Sequence, residues 1–169
     1  MKYTVFETKL GWMGVTGSAK GLRRMTIPLP SPEEALTELE PDLGEADLDP
    51  GFFGDLAERV QRLFDVGEAT FPEELDLPRA TPFKKAVWEA TRNIPRGETR
   101  SYGDIAVQVG RPGGARAVGQ VMASNPIAVL VPCHRVIASD GGLGGYGGHI
   151  EMKKRLLVLE GAMKGIKRS

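Results

Sequence analysis

Cysteine and histidine are nearly absent from this 169-residue chain, which holds one cysteine, Cys133, and two histidines, His134 and His149. A single cysteine excludes an intramolecular disulfide framework, and with two histidines it leaves no conventional zinc finger or cysteine-rich metal cluster. Long apolar runs are missing too. No stretch approaches the roughly 20 residues of a membrane span. The opening Met1-Lys2-Tyr3-Thr4-Val5-Phe6-Glu7 has no secretory apolar core, so a reducing, cytosolic setting with no membrane partner is expected. Net charge is absent only in sum. Residues 1–80 carry 8 Lys or Arg against 16 Asp or Glu, and residues 81–169 carry 14 against 6. Halves of opposite sign suit a protein with one part facing a phosphate backbone and the other facing solvent, although solvated charged faces give the same count.

What is present is ordinary for a globular protein, with 41% hydrophobic and 26% charged residues. Residues 3–7, 12–16 and 21–29 are β-prone runs separated by glycine and predict a small antiparallel sheet. Ser31-Pro32-Glu33-Glu34 combines an N-cap, a first-turn proline and acids, and starts a helix that Pro41 is expected to stop. A second helix is expected over about 51–64, with Phe52, Phe53, Leu56, Val60 and Leu63 as core. The Pro-rich, acidic stretch 67–80 marks a boundary between domains 1–80 and 81–169. Thr81-Pro82 opens the second half with a helix that carries Phe83, Ala86, Val87, Ala90 and Ile94 on one face. Ser101 and Asp104 form a capping-box pattern for a short helix ended by Gly110, and another runs over about 115–124. Two short helices about a Gly-containing turn read as a helix-turn-helix. In the second of them Ala115, Ala117, Gly119 and Ala123 are small and Arg116 stands in the first turn. Such a helix suits close approach to a nucleic-acid backbone from the minor groove better than base reading in the major groove. A last helix is expected over 150–160, stopped by Gly161, with Glu160 at its unfavourable negative end in need of a partner such as His134.

The scarce residues sit side by side in Val131-Pro132-Cys133-His134-Arg135-Val136. A thiol with a pKa of about 8.5 needs a base or a positive field to act as a nucleophile, and His134 and Arg135 are candidates. Neighbours on an extended strand point to opposite faces, so the pair cooperates only if the backbone turns, which Pro132 favours. A buried, inert cysteine is the competing reading. The glycine-rich 140–148 segment can bring main-chain N–H groups close to a ligand or can be a plain surface loop; it is neither a Walker nor a dinucleotide-binding loop.

From about Thr81 to Gly161 the chain resembles the O6-alkylguanine-DNA alkyltransferases. The matching residues include Pro82-Phe83, Gly97-Glu98-Thr99, Ser101-Tyr102, Ala115-Arg116-Ala117-Val118-Gly119 and Asn125-Pro126. They continue through Pro132-Cys133-His134-Arg135-Val136, Gly145-Tyr146-Gly147-Gly148, Leu156-Leu157 and Glu160-Gly161. The resemblance implies an α+β protein with an N-terminal ribonuclease H-like domain, a small antiparallel sheet plus helices, and a mostly helical C-terminal domain with a helix-turn-helix. It implies irreversible transfer of an alkyl group from O6-alkylguanine, and from O4-alkylthymine, in double-stranded DNA to Cys133, once per molecule and without cofactor or metal. His134, Glu160 and Asn125 would serve the thiol. Tyr102 would face guanine N3, Gly147 would offer its N–H to O6, the Cys133 and Val136 carbonyls would accept from the exocyclic amine, and Tyr146 would wall the pocket. Arg116 would replace the extruded base, with Ala115 and Gly119 against DNA. A monomer is expected, with cooperative assembly on DNA left open. Some family members carry proline where Ala128 stands here, which leaves the range of alkyl groups open. A non-catalytic alkylated-base binder and a cysteine hydrolase are the alternatives; the first lacks the cysteine, and the second leaves the helix pair and the basic half unexplained.

Overall fold

The structure, a computed structural model, describes residues 1–163 and Ile166. The chain forms two compact units, Met1–Pro78 with Pro126–Ala128, and Arg79–Asn125 with Val129–Ser169. The three-residue return to the first unit is a feature that a single boundary at 67–80 does not anticipate.

In the first unit, strands β1 (Lys2–Thr8), β2 (Gly11–Ser18) and β3 (Gly21–Met25) form an antiparallel meander. A short strand β4 (Asp47–Leu48) adds in parallel beside β1 and gives the order β3-β2-β1-β4. Two residues without apolar alternation carry no strand signal, so β4 escapes sequence reading. Strand β3 stops at Met25 rather than running to Leu29 as one element, although the segment beyond stays on β2, with the Thr26 N–H donating to the Gly14 carbonyl at 2.9 Å and Leu29 exchanging both of its bonds with Trp12. On its other edge the Met25 N–H donates to the Pro126 carbonyl at 2.8 Å and its carbonyl accepts from Ala128 at 2.9 Å. Pro28 also lacks the N–H that a continuing ladder needs.

Helix α1 (Pro32–Leu43) starts as expected, with the Ser31 hydroxyl accepting from the Glu34 N–H at 3.2 Å. It runs through Pro41 instead of stopping there. In the last turn a proline forfeits one bond and the helix continues to Gly44. Gly14 of β2 lets Leu39 close onto the sheet, since a Cβ there would stand 2.7 Å from Leu39 Cδ1. The expected 51–64 helix is broken in two. A 3-10 turn (Pro50–Phe53) capped by Asp49 ends at Gly54, whose φ of 58° is left-handed, before helix α2 (Leu56–Val66) begins. The buried face is therefore Leu56, Val60 and Phe64, whereas Phe52 is 41% exposed and not core.

In the second unit, helices α3 (Pro82–Arg92), α4 (Tyr102–Gln108), α5 (Ala115–Ala123) and α6 (Ile150–Leu159) surround Val87, Trp88, Ile105, Val118, Val121 and Leu156. Thr81 caps α3, and Ser101 with Asp104 completes a capping box on α4, as their spacing predicts. Strands β5 (Arg100–Ser101) and β6 (Val136–Ile137) pair in parallel, Arg100 with Val136. That short ladder sets the first residue of α4, Tyr102, beside the segment that ends at Val136. No helix among the described residues is long and apolar enough to cross a membrane.

Candidate active site

The chain does turn at the cysteine. Pro132, at φ −78° and ψ 64°, is the centre of an inverse γ-turn in which the Cys133 N–H donates to the Val131 carbonyl at 2.7 Å. A 3-10 turn follows over Cys133–Arg135, closed by Arg135 N–H to the Pro132 carbonyl at 2.8 Å and by Val136 N–H to the Cys133 carbonyl. All three side chains of this turn are buried. Asn125 clasps the approach, its amide donating to the Val131 carbonyl at 2.9 Å and to Cys133 Sγ at 3.2 Å. Between them Val129 holds a φ of 73°, a strained value for a β-branched residue. The clasp resists its relaxation.

His134 meets Glu160 through Nε2. Glu160 is also held by Arg135, whose Nε lies 2.9 Å and Nη2 2.5 Å from Oε2, while Arg135 Nη1 donates to the Ile94 carbonyl at 2.7 Å. Burial by itself would raise the Glu160 pKa, but the hydrogen bonds from His134 and Arg135 and the Arg135 charge outweigh it and bring the carboxyl down to about 2. An ionised carboxylate only accepts, so Nε2 carries the imidazole proton and Nδ1 is a bare lone pair. Nδ1 is buried and has no hydrogen-bond partner among the described residues. His134 and Cys133 are therefore not a directly bonded dyad. Burial also lowers the His134 pKa, which keeps the ring neutral.

The Glu160 shift has a consequence for stability. A carboxylate whose folded pKa lies below its unfolded value contributes above the unfolded value and loses that contribution as pH falls through the folded one. From 4.5 to about 2, this amounts to on the order of 3 kcal/mol. Acid titration of the unfolding free energy is expected to show the loss in that window. Glu160→Gln is expected to flatten it.

Burial pushes the Cys133 thiol up, with the Asn125 amide and the Lys153 charge opposing. The resting group is a thiol and needs a base. Tyr146 lies against it, and burial raises the pKa of its hydroxyl well above the ordinary value. Tyr102 packs on the glycine segment so closely that a Cβ at Gly144 would stand 2.7 Å from its hydroxyl. Gly147, at φ 55°, is exposed in the same segment.

Two residues that the sequence reading underrated complete the site. Arg135 gives its donors to Glu160 and Ile94 rather than supplying a field to the thiol. Lys153 is fully buried, donating from Nζ to the Val136 carbonyl at 2.7 Å and the Gly145 carbonyl at 3.0 Å, with its pKa lowered by burial to about 8. It ties the cysteine segment to the glycine segment. Its place on the apolar stripe of α6 with Leu156 and Leu157 is the signal that could have found it, because lysine is rarely buried without such partners.

Helix α5 presents Arg116 to solvent beside Arg111, Gly113 and Gln120, which line an open groove. A Cβ at Gly119 would approach only Tyr102 Cδ1, at 4.0 Å, so no protein atom demands glycine there. Ala115 opens the helix at its half-buried end.

Residues 82–162 match the family described as 6-O-methylguanine DNA methyltransferase, DNA binding domain. The methylated-DNA–protein-cysteine methyltransferase of Mycobacterium tuberculosis strain H37Rv is 43% identical over 159 residues, 94% of this chain and 91% of the relative. Its namesake from Methanosarcina acetivorans is 39% identical over 162 residues, 96% of this chain and 99% of the relative. Among solved structures, Mycobacterium tuberculosis OGT in complex with DNA superposes with a TM-score of 0.80 at 40% identity, covering 96% of this chain and 94% of that one. The O6-methylguanine-DNA methyltransferase of Pyrococcus kodakaraensis strain KOD1 does so with 0.75 at 32% identity, covering 94% and 99%. A likeness that spans both units and includes the cysteine turn leaves one reading: the chain belongs to the family of methylated-DNA–protein-cysteine methyltransferases.

Proposed function

We propose that this protein repairs DNA in the cytoplasm by moving the alkyl group of O6-alkylguanine, and of O4-alkylthymine, onto Cys133, once per molecule. The observation that carries the reading is the lone pair on His134 Nδ1, left bare by the ionised Glu160 at Nε2, in the residue that follows the only thiol in the chain. Through a bridging water this nitrogen takes the thiol proton. Sγ forms a bond to the alkyl carbon, the bond from that carbon to O6 breaks, and its electron pair passes to the purine. The Tyr102 hydroxyl meets that charge at N3, and the Gly147 N–H meets O6. The Cys133 carbonyl already takes the Val136 N–H and the Val136 carbonyl takes Lys153. Each keeps a second lone pair for the exocyclic amine. Tyr146 closes the pocket wall. The thioether product does not hydrolyse, so the protein is consumed, and no cofactor takes part.

An alkyl carbon inside a duplex is out of reach, so the base is extruded. Helices α4 and α5 act as a helix-turn-helix from the minor-groove side, with Ala115 and Gly119 small enough for the backbone to approach and Arg116 filling the vacated stack. The N-terminal unit, a four-stranded sheet with helices, is of ribonuclease H-like layout, and the protein works as a monomer on double-stranded DNA. Arg116→Ala is expected to lower transfer from duplex DNA roughly hundredfold, the size of an extrusion cost of a few kcal/mol, and to leave transfer from the free base O6-methylguanine nearly unchanged. Equal losses on both substrates would overturn the extrusion role. The whole reading is tested by the intact mass of the protein after incubation with an O6-methylguanine duplex. One methyl per molecule is expected, and an unchanged mass refutes it.

A further inference from the structure

Glu160 has two claimants. Its Oε1 faces His134 Nε2 and also accepts from Arg135 Nε at 3.2 Å, while its Oε2 takes the shorter bonds of Arg135, from Nε at 2.9 Å and Nη2 at 2.5 Å. A carboxylate that answered to the imidazole alone would both orient it and favour the imidazolium, and an imidazolium cannot accept a thiol proton. The guanidinium separates those two effects. It neutralises part of the carboxylate charge, and its fixed fork keeps Oε1 aimed at Nε2. Arg135 is itself immobilised, since Nη1 donates to the Ile94 carbonyl at 2.7 Å just beyond the end of α3. One buried side chain thus joins α3, the cysteine turn and the end of α6.

We propose that Arg135 is a positioning residue for the proton transfer, holding Glu160 in register against His134 while sharing its charge so that the imidazole stays neutral. The proposal rests on His134 being the proton acceptor. The groups that act on the ring are Glu160 at Nε2, Arg135 from its own turn and Lys153 from α6, and the two cations oppose the carboxylate. Burial, the largest influence on the imidazole, works in the same direction as the cations.

The test uses the full-length Arg135→Gln and Arg135→Lys variants. The single-turnover rate of methyl transfer is followed against pH, and the His134 ring protons are titrated by NMR. In R135Q the acid limb of the rate profile and the His134 titration are expected to move together to higher pH. The rate on that limb then falls roughly tenfold relative to the variant's own plateau, the effect of losing one neighbouring charge. R135K, which keeps the charge without the fork, is expected to shift less while its plateau rate drops, and it carries the test if R135Q does not fold. A wild-type titration and acid limb in a variant whose urea midpoint has fallen would make Arg135 a structural strut and overturn the proposal. A wild-type rate that ignores the His134 titration would instead refute the acceptor reading, and the ring titration would still decide whether Arg135 acts on the imidazole.

Discussion

Cys133→Ala is expected to end methyl transfer completely while leaving recognition of the damaged duplex in place. The chain has no second thiol to substitute for it. The groups assigned to the base, Tyr102, Gly147 and the Val136 carbonyl, are untouched by the change, and so is Arg116 on α5. The substitution removes one buried atom, the sulfur that accepts from the Asn125 amide, so the fold is expected to lose about 1 kcal/mol. Intact mass and a binding titration on the same O6-methylguanine duplex measure the two outcomes separately. A variant that gains the mass of a methyl group would show that another atom is the acceptor, and one that loses duplex binding in proportion to activity would show that the thiol contributes mainly to recognition.

Glu160→Ala is expected to have the largest effect on stability and nearly as large an effect on activity. It strips the buried Arg135 of its counter-charge and His134 of the acceptor that sets its tautomer. Breaking one partner out of a buried pair costs about 3–5 kcal/mol, because the remaining charge stays desolvated. Urea unfolding measures this directly. Glu160→Gln separates the two roles, since the amide fills the same space but carries no charge. The variant is expected to fold and to transfer methyl about 10²-fold more slowly, the low end of what a positioned base contributes. A glutamine variant with wild-type rate would remove the carboxylate from the proton path and leave it as scaffold.

The separation between legible and illegible features follows the range of the forces involved. Caps are local, and Ser31, Thr81 and Ser101 stand where their spacing with the following residues predicts. Helix α1 passes Pro41 at the cost of the one bond its missing N–H would make, and it ends at Leu43 within the same turn. Phe52 fits a helical apolar stripe, yet the left-handed Gly54 rotates that stripe away from the core and leaves the ring exposed. Lys153 reads as a surface lysine on α6 until two carbonyls from outside the helix, those of Val136 and Gly145, close over its ammonium.

By itself the sequence determined the chemistry available to this protein. One thiol, an adjoining imidazole and a carboxylate at a helix end name the reactants, and their order along the chain carries the family resemblance. Tertiary structure decided the tautomer of the imidazole. Only the folding of α6 back onto the cysteine turn brings Glu160 to His134 Nε2, which leaves the lone pair on Nδ1. The same closure sets the carboxylate against the Arg135 fork, most closely through its other oxygen. Tautomer and charge sharing depend on ångström-scale distances between residues 25 and 26 positions apart in sequence, and such distances are set by packing rather than by any local pattern.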